Sequence, residues 1–518
     1  MRSHSMNHTR ARLVSRLALL LSSTALLGTA CAGAEPEIEE ESMPEESTAD
    51  VASALTTTGA QRFTAVGNGL GPEFGHALAV GHFNSGSNAD LAIQGGTEEV
   101  ELRLGTSGGV STSPTTVSQD TAGVPGVTEE YDYFGEALAA GDFNGDGVDD
   151  VAIGVPCESW SGYSCAGAVN VIYNTPVNGS PPSPQMFYRG NGGVPGAMQA
   201  YEHFGHALAV GNFDGDEYAD LAIGCPYRNA EAGAVIVIYG GPNGLDGSTA
   251  EEWSQGTSGI AGSPEAGDRF GFALAAGDFD GNSYSDLAVG SPDESLSGGP
   301  GHAGAVNVIY GASGGLSSSG NQIWTGDGDG LSYAPGGGNL FGYALAAGAF
   351  NTDGKDDLVI GVPFLNVGSE GEAGGVVVMF GGNSGLGLSN DQTIHQDSNK
   401  VAGAAESGDR CGWAVAVGDV NDDGWGDIVF GCPGESVVSG EIANGAINVN
   451  FGPFFTSSLS LTGEVWHQDS TGVPGDPVEG GYFGYSLAVG DFNGDTVGDV
   501  AIGAYELGGG SVTILRGN

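Results

Sequence analysis

The 518-residue sequence is poor in positive charge: it holds 13 Lys and Arg against 64 Asp and Glu, and its formal net charge is −51. A field of this sign repels phosphate backbones and anionic membranes and attracts cations. The charge therefore argues against nucleic acid as a partner. A solvated acidic surface explains part of it, but not why many of the carboxylates recur at fixed offsets.

Long apolar runs are also scarce, and none after the N terminus approaches transmembrane length. The N-terminal run, residues 17–27, is too short to span a bilayer, and it follows Arg10, Arg12 and Arg16. A basic segment followed by a short apolar one is typical of an export signal. We therefore predict an exported protein that meets a membrane only through a lipid anchor.

Two processing sites compete at the end of this signal. Residues 27–31, LGTAC, resemble a bacterial lipoprotein box, although Gly28 stands where Leu is usual. Residues 32–34, AGA, form an acceptable A-x-A site for ordinary signal peptidase. We predict a signal peptide at 1–31 with lipidation of Cys31, which implies a bacterial outer-membrane or cell-surface lipoprotein, with secretion as the alternative. Residues 32–60, acidic and poor in apolar side chains, are predicted to be a disordered linker.

Cysteine is scarce as well, with six residues in the chain. Cys157 and Cys165 flank one short loop, so a local disulfide is expected in an exported protein. Cys411 and Cys432 fall on segments predicted to be adjacent strands and are candidates for a second pair. Cys225 is then left as a buried small side chain, although the sequence does not determine this pairing.

Glycine, in contrast, is abundant at 96 residues, and it follows no Gly-X-Y period, which excludes collagen. The sequence instead repeats one unit seven times, for example FGEALAAGDFNGDGVDDVAIGVP from Phe134. The seven units begin at Phe74, Phe134, Phe204, Phe270, Phe341, Cys411 and Phe483. This periodicity predicts an array of equivalent structural modules.

Each unit divides into four short strands. The FGxALAxG segment predicts the first strand, and the segment of the DLAIG type after the acidic loop predicts the second. A run such as AGAVNVIY at 166–173 predicts the third, and a short segment such as EEWSQG at 251–256 predicts the fourth. Four antiparallel strands per repeat are typical of a β-propeller.

The ends of the chain predict how the ring closes. Residues 511–518 form a third strand with no fourth after them, and residues 61–67 form a spare strand before the first unit. Pairing the two would complete the last blade and remove an open sheet edge. The predicted fold is an all-β, seven-bladed propeller of four-stranded blades at 61–518, with the last blade closed by an N-terminal strand.

The repeated FG, the Asp-rich loop and the G-x-P after it resemble the FG-GAP repeat of the integrin α-subunit N-terminal propeller. The resemblance extends over residues 61–518 and recurs seven times. It implies a calcium ion at the loop between the first and second strands of a blade. It also implies a surface that binds other molecules rather than a catalytic one.

The acidic loops themselves carry the ligand types that calcium prefers. In GDFNGDGVDDVAIG, residues 141–154, side-chain oxygens stand at positions 1, 3, 5 and 9 and a backbone carbonyl at position 7. An EF-hand would also need a bidentate Glu at position 12, where Ile153 stands, so a hairpin loop is predicted instead. The alternative, that these residues only form Asx-turns, leaves clustered carboxylates without a counter-charge.

Five loops carry the complete set of candidate ligands. They are Asp142, Asn144, Asp146, Val148 and Asp150 in blade 2; Asn212, Asp214, Asp216, Tyr218 and Asp220 in blade 3; Asp278, Asp280, Asn282, Tyr284 and Asp286 in blade 4; Asp419, Asn421, Asp423, Trp425 and Asp427 in blade 6; and Asp491, Asn493, Asp495, Val497 and Asp499 in blade 7. Blade 5 has Ala349 at position 1 but keeps Asn351, Asp353 and Asp357. Blade 1 has lost positions 1 and 5, to His82 and Gly86, and is expected to bind no calcium.

A calcium ion in a loop without mobile helices is structural, so ligand binding is expected on the opposite face of the ring. The candidate contact residues in its loops are Trp160, Tyr163, Tyr227, Arg228 and Phe364, for which loop packing is the alternative role. The predicted function is a non-enzymatic, monomeric cell-surface binding or adhesion module for a protein or glycan. A lectin-like propeller, a hydrolase and a structural envelope protein are the alternatives, although no G-x-S-x-G elbow in a fitting context appears.

Overall fold

The structure is a computed structural model that describes residues 53–64, 74–96, 98–174, 182–295, 301–326, 330–331, 337–437, 443–454, 463–505 and 509–518. The predicted signal peptide and Cys31 lie outside these residues. Within them the chain forms seven four-stranded antiparallel sheets, arranged as the blades of a β-propeller. The predicted fold class is confirmed.

Blades 1 to 6 each use four consecutive main strands. They are Leu78–Gly81, Asp90–Gln94, Val100–Arg103 and Thr115–Val117 in blade 1; Leu138–Gly141, Asp150–Val155, Ala168–Ile172 and Gln185–Phe187 in blade 2; Leu208–Gly211, Asp220–Gly224, Val235–Ile238 and Glu251–Trp253 in blade 3; Ala273–Gly277, Asp286–Ser291, Ala305–Ala312 and Gly315–Thr325 in blade 4; Ala344–Gly348, Asp357–Gly361, Val376–Phe380 and Gly387–Ile394 in blade 5; and Val415–Gly418, Asp427–Cys432, Ala446–Asn450 and Glu464–Trp466 in blade 6. Blade 1 also carries a small ribbon, Gly105–Thr106 with Gly109–Val110. Blade 3 carries a helical turn at Arg228–Glu231 and a 3-10 turn at Gly247–Thr249.

Blade 7 closes the ring with strands from both ends of the described chain. Phe483–Gly490, Asp499–Ala504 and Ser511–Gly517 are its first three strands, and Leu55–Thr64 is its fourth. Phe63 lies opposite Val512, and the first strand of every blade contacts the first strand of the next around the whole circle. The predicted closure is confirmed.

The start of the closing strand differs from the prediction. It begins at Leu55 rather than at residue 61, so part of the segment assigned to the linker belongs to the propeller. Residues 55–60, LTTTGA, show no alternation of apolar and polar side chains. Pairing with the C-terminal strand, and not local pattern, makes this segment a strand.

The first strands are also shorter than predicted in blades 1 to 6. The strand of blade 2 begins at Leu138, although the motif begins at Phe134. The motif glycine interrupts regular pairing: Gly205, for example, has φ +94°, and a Cβ there would lie 2.6 Å from the carbonyl oxygen of Ala168. Only glycine fits this close approach between neighbouring strands.

The hydrophobic core lies between neighbouring blades. One cluster joins Val169 and Val171 of blade 2 to Leu221 and Ile223 of blade 3, and these four side chains are fully buried. Phe204, the first residue of the blade 3 motif, is buried in the same cluster. Because both faces of each blade are covered, the second and third strands are apolar almost throughout.

The cysteines pair as the sequence suggested. The structure joins Cys157 to Cys165 and Cys411 to Cys432, and it leaves Cys225 buried as a free thiol. Cys411 replaces the motif Phe of blade 6. A covalent link to the end of the second strand thus stands where the other blades pack an aromatic ring.

Candidate metal centres and the opposite loop face

Each acidic loop is the hairpin between the first and second strands of a blade, as predicted. In blade 2 the pairing runs from Leu138 opposite Ile153 to Gly141 opposite Asp150, with the loop between the last two. Since every blade repeats this topology, all seven loops lie on one face of the ring. We call it the hairpin face, and the opposite side the loop face.

The aspartate at position 9 is the most regular part of these loops. It is fully buried in all seven blades, at Asp90, Asp150, Asp220, Asp286, Asp357, Asp427 and Asp499. In blade 4, Asp286 accepts hydrogen bonds from the backbone N–H groups of Phe279 at 2.8 Å and Gly311 at 2.9 Å. The carboxylate therefore ties its own loop to the end of the third strand.

Blade 1 keeps this arrangement even though it has lost two candidate ligands. Asp90 accepts bonds of 2.7 Å from the N–H groups of Phe83 and Gly105 and from the side-chain amide of Asn84. The position 9 aspartate thus has a structural role that does not depend on a metal. Its presence in all seven repeats, where position 1 varies, was the sequence signal for this role.

The aspartate at position 1 organises the loop around itself. Asp142 accepts hydrogen bonds from the backbone N–H groups of Gly145 at 2.7 Å, Asp146 at 3.0 Å and Gly147 at 2.8 Å. Asp278, Asp419 and Asp491 form equivalent bonds in their own loops. These Asx-type bonds are compatible with metal binding, because each carboxylate oxygen has a second lone pair.

Blade 4 brings its predicted ligands closest together. One oxygen from each of Asp278, Asp280 and Asp286 lies within 4.8 Å of the other two. Ligands on opposite sides of a calcium ion at 2.3–2.6 Å are about 5 Å apart, so these three oxygens fit one shared ion. Of the described hairpin loops, only this one groups three carboxylates so closely.

The electrostatics of these loops also fit a cation. Burial, with smaller contributions from the nearby charges of Asp280 and Asp278, raises the pKa of Asp286 to about 7. Burial likewise raises the pKa of Asp150 to about 8, with contributions from Asp146 and Asp142. Without a cation, ionising these carboxyls at neutral pH costs free energy.

Asparagine at position 3 relieves part of this strain in several blades. The side-chain amide of Asn144 donates to Asp150 at 3.0 Å, and Asn493 donates to Asp499 in the same way. Blade 5 has the corresponding bond from Asn351 to Asp357. Blades 3 and 4 have a carboxylate at position 3 instead, at Asp214 and Asp280.

The loop face contains the residues predicted to contact ligand, in different environments. Trp160 packs against Tyr188 with ring centroids 3.8 Å apart, and Tyr163 is 43% exposed. Tyr227 and Phe364 are half-buried and lie beneath the guanidinium groups of Arg269 and Arg410, each at 5.2 Å.

Arg228 does not have the predicted exposure to ligand, because it is buried in an ion-pair network. It binds Glu202 at 2.7 Å and Glu252 at 3.1 Å, and Arg189 binds the same two carboxylates at 2.9 Å each. Arg189 and Glu202 are each 1% exposed. The charge of Arg228 is thus used within the protein, and sequence could not show this because its partners come from distant segments.

This network yields a stability prediction. We expect Arg228→Met to lower the free energy of unfolding by about 3–5 kcal/mol, because it leaves Glu202 buried with reduced compensation. The matched control is Arg410→Met, which removes an exposed pair with Glu372 at 2.9 Å and should cost about 1 kcal/mol or less. Denaturant unfolding measures both, and equal losses would contradict the role given to Arg228.

Sequence reasoning missed a ring of side chains around the axis on the loop face. The residue after each FG motif supplies it: His76, Glu136, His206, Phe272, Tyr343, Trp413 and Tyr485. Ring centroids of successive blades lie 5.0 Å apart for His206–Phe272, 5.1 Å for Phe272–Tyr343, 4.8 Å for Tyr343–Trp413, 5.6 Å for Trp413–Tyr485 and 5.0 Å for Tyr485–His76. We call this set the axial ring.

His76 continues the axial ring to Glu136, with its Nδ1 3.8 Å from a carboxylate oxygen. His206 packs against Tyr227 as well as Phe272, and burial lowers its pKa, so it is neutral at pH 7. The signal for the ring in the sequence was that the position after FG is aromatic or His in six of seven repeats. The loop face therefore has six aromatic and imidazole rings in successive contact at its centre, interrupted at Glu136.

These features define a class: a seven-bladed propeller with acidic hairpin loops and an aromatic centre on the other face. Comparison with known families identifies FG-GAP repeats at residues 134–169, 204–238, 270–309, 341–379 and 483–515. The chain thus carries FG-GAP repeats in five places, and the predicted resemblance is confirmed.

The similar curated proteins include integrin α-subunits. Integrin alpha-5 of Xenopus laevis is 31% identical over 225 residues, which cover 42% of this chain and 20% of the relative. Integrin alpha-IIb of Homo sapiens is 30% identical over 243 residues, covering 44% and 20%. Phosphatidylinositol-glycan-specific phospholipase D of Rattus norvegicus is 31% identical over 200 residues, covering 38% and 23%. The matches thus span about a fifth of the length of these relatives.

One solved structure, of BBS1N in complex with ARL6DN and soaked with mercury, covers 86% of this chain and 95% of its own. Its TM-score is 0.45 at 9% sequence identity. None of the helices in the described part of the chain has the length and apolarity that a membrane span requires.

Proposed function

We propose that this protein is an exported, calcium-stabilised propeller that acts as a non-enzymatic cell-surface binding or adhesion module for a protein or glycan ligand. The observation that carries the binding role is the axial ring, in which six aromatic and imidazole rings contact one another in succession at the centre of the loop face. The similarity to integrin α-subunits supports the same assignment.

The calcium role rests on the hairpin face. Three oxygens of Asp278, Asp280 and Asp286 lie close enough to share one ion, and the other complete loops repeat the same ligand types. When bound, the ion would neutralise the carboxylates and hold the hairpin. Because the loop joins two paired strands of one sheet and is anchored by a buried position 9 aspartate, the ion would stiffen the blade rather than signal.

The ligand would meet the loop face. Aromatic faces carry partial negative charge, and the protein adds a net charge of −51, so groups that are cationic or electron-poor are favoured there. Tyr227 and Phe364 extend the aromatic surface outward, although each is already covered on one side by an arginine of the protein. The axial ring is therefore the first place to test.

A glycan array and a protein pull-down with the calcium-loaded protein test this proposal. We expect a ligand whose binding falls at least about tenfold in the Tyr343→Ala/Trp413→Ala double variant, because it removes the centre of the aromatic surface. The matched control is Glu217→Ala, an exposed substitution on the hairpin face that should leave binding unchanged. Equal binding by both variants, with both folded, would contradict a binding role for the ring.

Sugar hits would favour the lectin-like alternative and protein hits the adhesion role. The similarity to a phospholipase D raises the hydrolase alternative, but that match covers 23% of the relative's length. An assay for release of phosphatidic acid from glycosylated phosphatidylinositol examines it directly. Turnover that survives repurification would replace the non-enzymatic proposal, and absence of both ligand and turnover would favour a structural envelope role.

A further inference from the structure

The loop face also contains buried carboxylates at one recurring place in the blades. Three sequence positions define this place. The first lies two residues after the fourth strand of one blade. The other two belong to the following blade: one lies two residues before its FG motif, and the other lies two residues after the proline of its G-x-P. In blade 6 these are Gln396, Asp409 and Glu435, and Glu406 lies beside them. They lie at the ends of the strands opposite to the hairpin loops.

The acidic side chains at this place are close enough to share one ion. One oxygen from each of Glu406, Asp409 and Glu435 lies within 4.8 Å of the other two. Asp409 is 2% exposed, and its pKa is raised by burial and by the neighbouring charge of Glu435. The next residue, Arg410, points elsewhere and pairs with Glu372 at 2.9 Å.

A buried amide supplies an independent indication of a ligand. Gln396 is 3% exposed, and its Nε2 donates to Glu435 at 2.8 Å, so the side chain is directed at the cluster. Its Oε1 is buried without a hydrogen-bond partner. A buried carbonyl oxygen left unpaired costs about 1–3 kcal/mol, and a hard cation is a partner that carbonyl and carboxylate oxygens share.

Blade 4 repeats the arrangement. Oxygens of Glu265, Asp268 and Glu294 lie within 4.8 Å of one another, and Gln255 donates to Glu294 at 2.6 Å. Gln255 is 4% exposed, and its Oε1 also lacks a hydrogen-bond partner. The same unpaired oxygen thus occurs beside the same trio in two blades.

Blade 3 shows what satisfies carboxylates at this place. There Arg189 replaces the glutamine, and Arg228 replaces the glutamate of the G-x-P loop. Both guanidinium groups bind Glu202, the counterpart of Asp409, at 2.9 and 2.7 Å. The protein itself therefore places positive charge here in the one blade where arginines are present.

We propose that Glu406, Asp409 and Glu435, together with the Gln396 carbonyl, bind a divalent cation of the calcium type on the loop face, and that Glu265, Asp268, Glu294 and Gln255 form a second such site. These sites are distinct from the hairpin loops. Each ion would join the segment before one blade's first strand to the loop after its second. It would thereby hold the segments next to the axial ring.

The test counts bound calcium in the purified full chain by equilibrium dialysis at saturating calcium. We expect Asp409→Asn/Glu435→Gln to bind one ion fewer than the unmodified protein. The matched control, Asp397→Asn, changes an exposed carboxylate of the same connecting segment and should bind the full number. An unchanged count in the double variant would overturn the proposal.

Two further variants keep the test decisive if the first one fails to fold. Glu406→Gln changes an exposed ligand and should weaken one site about tenfold, because affinity follows ligand charge. Gln396→Arg/Glu435→Arg copies the arginine pair of blade 3 and should remain folded with one ion fewer. Full calcium binding by the arginine variant, or unchanged affinity in Glu406→Gln, would overturn the site.

Discussion

Chelation of calcium by EGTA is expected to lower the melting temperature of this protein by about 10 °C or more. A ligand that binds only the folded state contributes about 2.7 kcal/mol per site at a concentration of 100 times Kd. Five hairpin loops carry the complete ligand set, so their contributions accumulate when the ring unfolds as one unit. Differential scanning calorimetry with and without EGTA, followed by readdition of calcium, measures the effect.

The fall in melting temperature on chelation should be larger at pH 8 than at pH 5. Burial raises the pKa of Asp150 to about 8 and that of Asp286 to about 7, above the ordinary value of 3.8. Between about pH 4 and pH 8 the metal-free folded state therefore binds more protons than the unfolded state, and its stability falls as the pH rises through this range. An identical melting curve in EGTA at pH 8, with no metal found by elemental analysis, would refute the calcium assignment.

Replacing the position 9 aspartate is expected to separate its structural role from its metal role. Asp150→Ala removes three hydrogen bonds: those from the N–H groups of Phe143 and Asn174 and from the amide of Asn144, of which the Phe143 N–H keeps a bond to the Gly141 carbonyl oxygen. We expect a loss of about 3 kcal/mol or more in the free energy of unfolding, since each buried unpaired group costs about 1–3 kcal/mol. In calcium buffer a further loss should follow from the lost ion.

Asp90→Ala in blade 1 is the matched comparison, because Asp90 accepts the equivalent three bonds in a loop predicted to bind no calcium. In EGTA the two variants should lose similar stability, and in calcium Asp150→Ala should lose about 2.7 kcal/mol more. Denaturant unfolding under both conditions provides the four values. If the difference between the variants did not depend on calcium, the blade 2 loop would not be a calcium site.

Most of the fold that was predicted from the sequence was predicted from short local motifs. The seven FG motifs, the acidic loops and the apolar third strands repeat in order, and each is readable within about ten residues. The hairpin position of Asp142 to Asp150 followed from the same pattern, because Ile153 already belonged to a strand. Because the motif occurs seven times, its copies can be aligned with one another, and all seven support the same assignment of strands and loops.

Contacts between segments distant in sequence were not predictable in this way. The polar strand from Leu55 is identified only by its pairing with Ser511–Gly517. The internal role of Arg228 is identified only by its ion pairs with Glu202 and Glu252. Likewise Tyr343 and Trp413 belong to different repeats and meet because first strands line the axis. No local pattern encodes such a meeting.

The sequence by itself determined the number of blades, their four strands and the loops that hold the candidate calcium ligands, because these depend on short-range alternation and on repetition. The tertiary structure alone decided that the position 9 aspartate braces every blade, that Arg228 is internal, and that the axial ring exists. These properties arise when the ring closes, since closure sets which side chains of different blades are buried together.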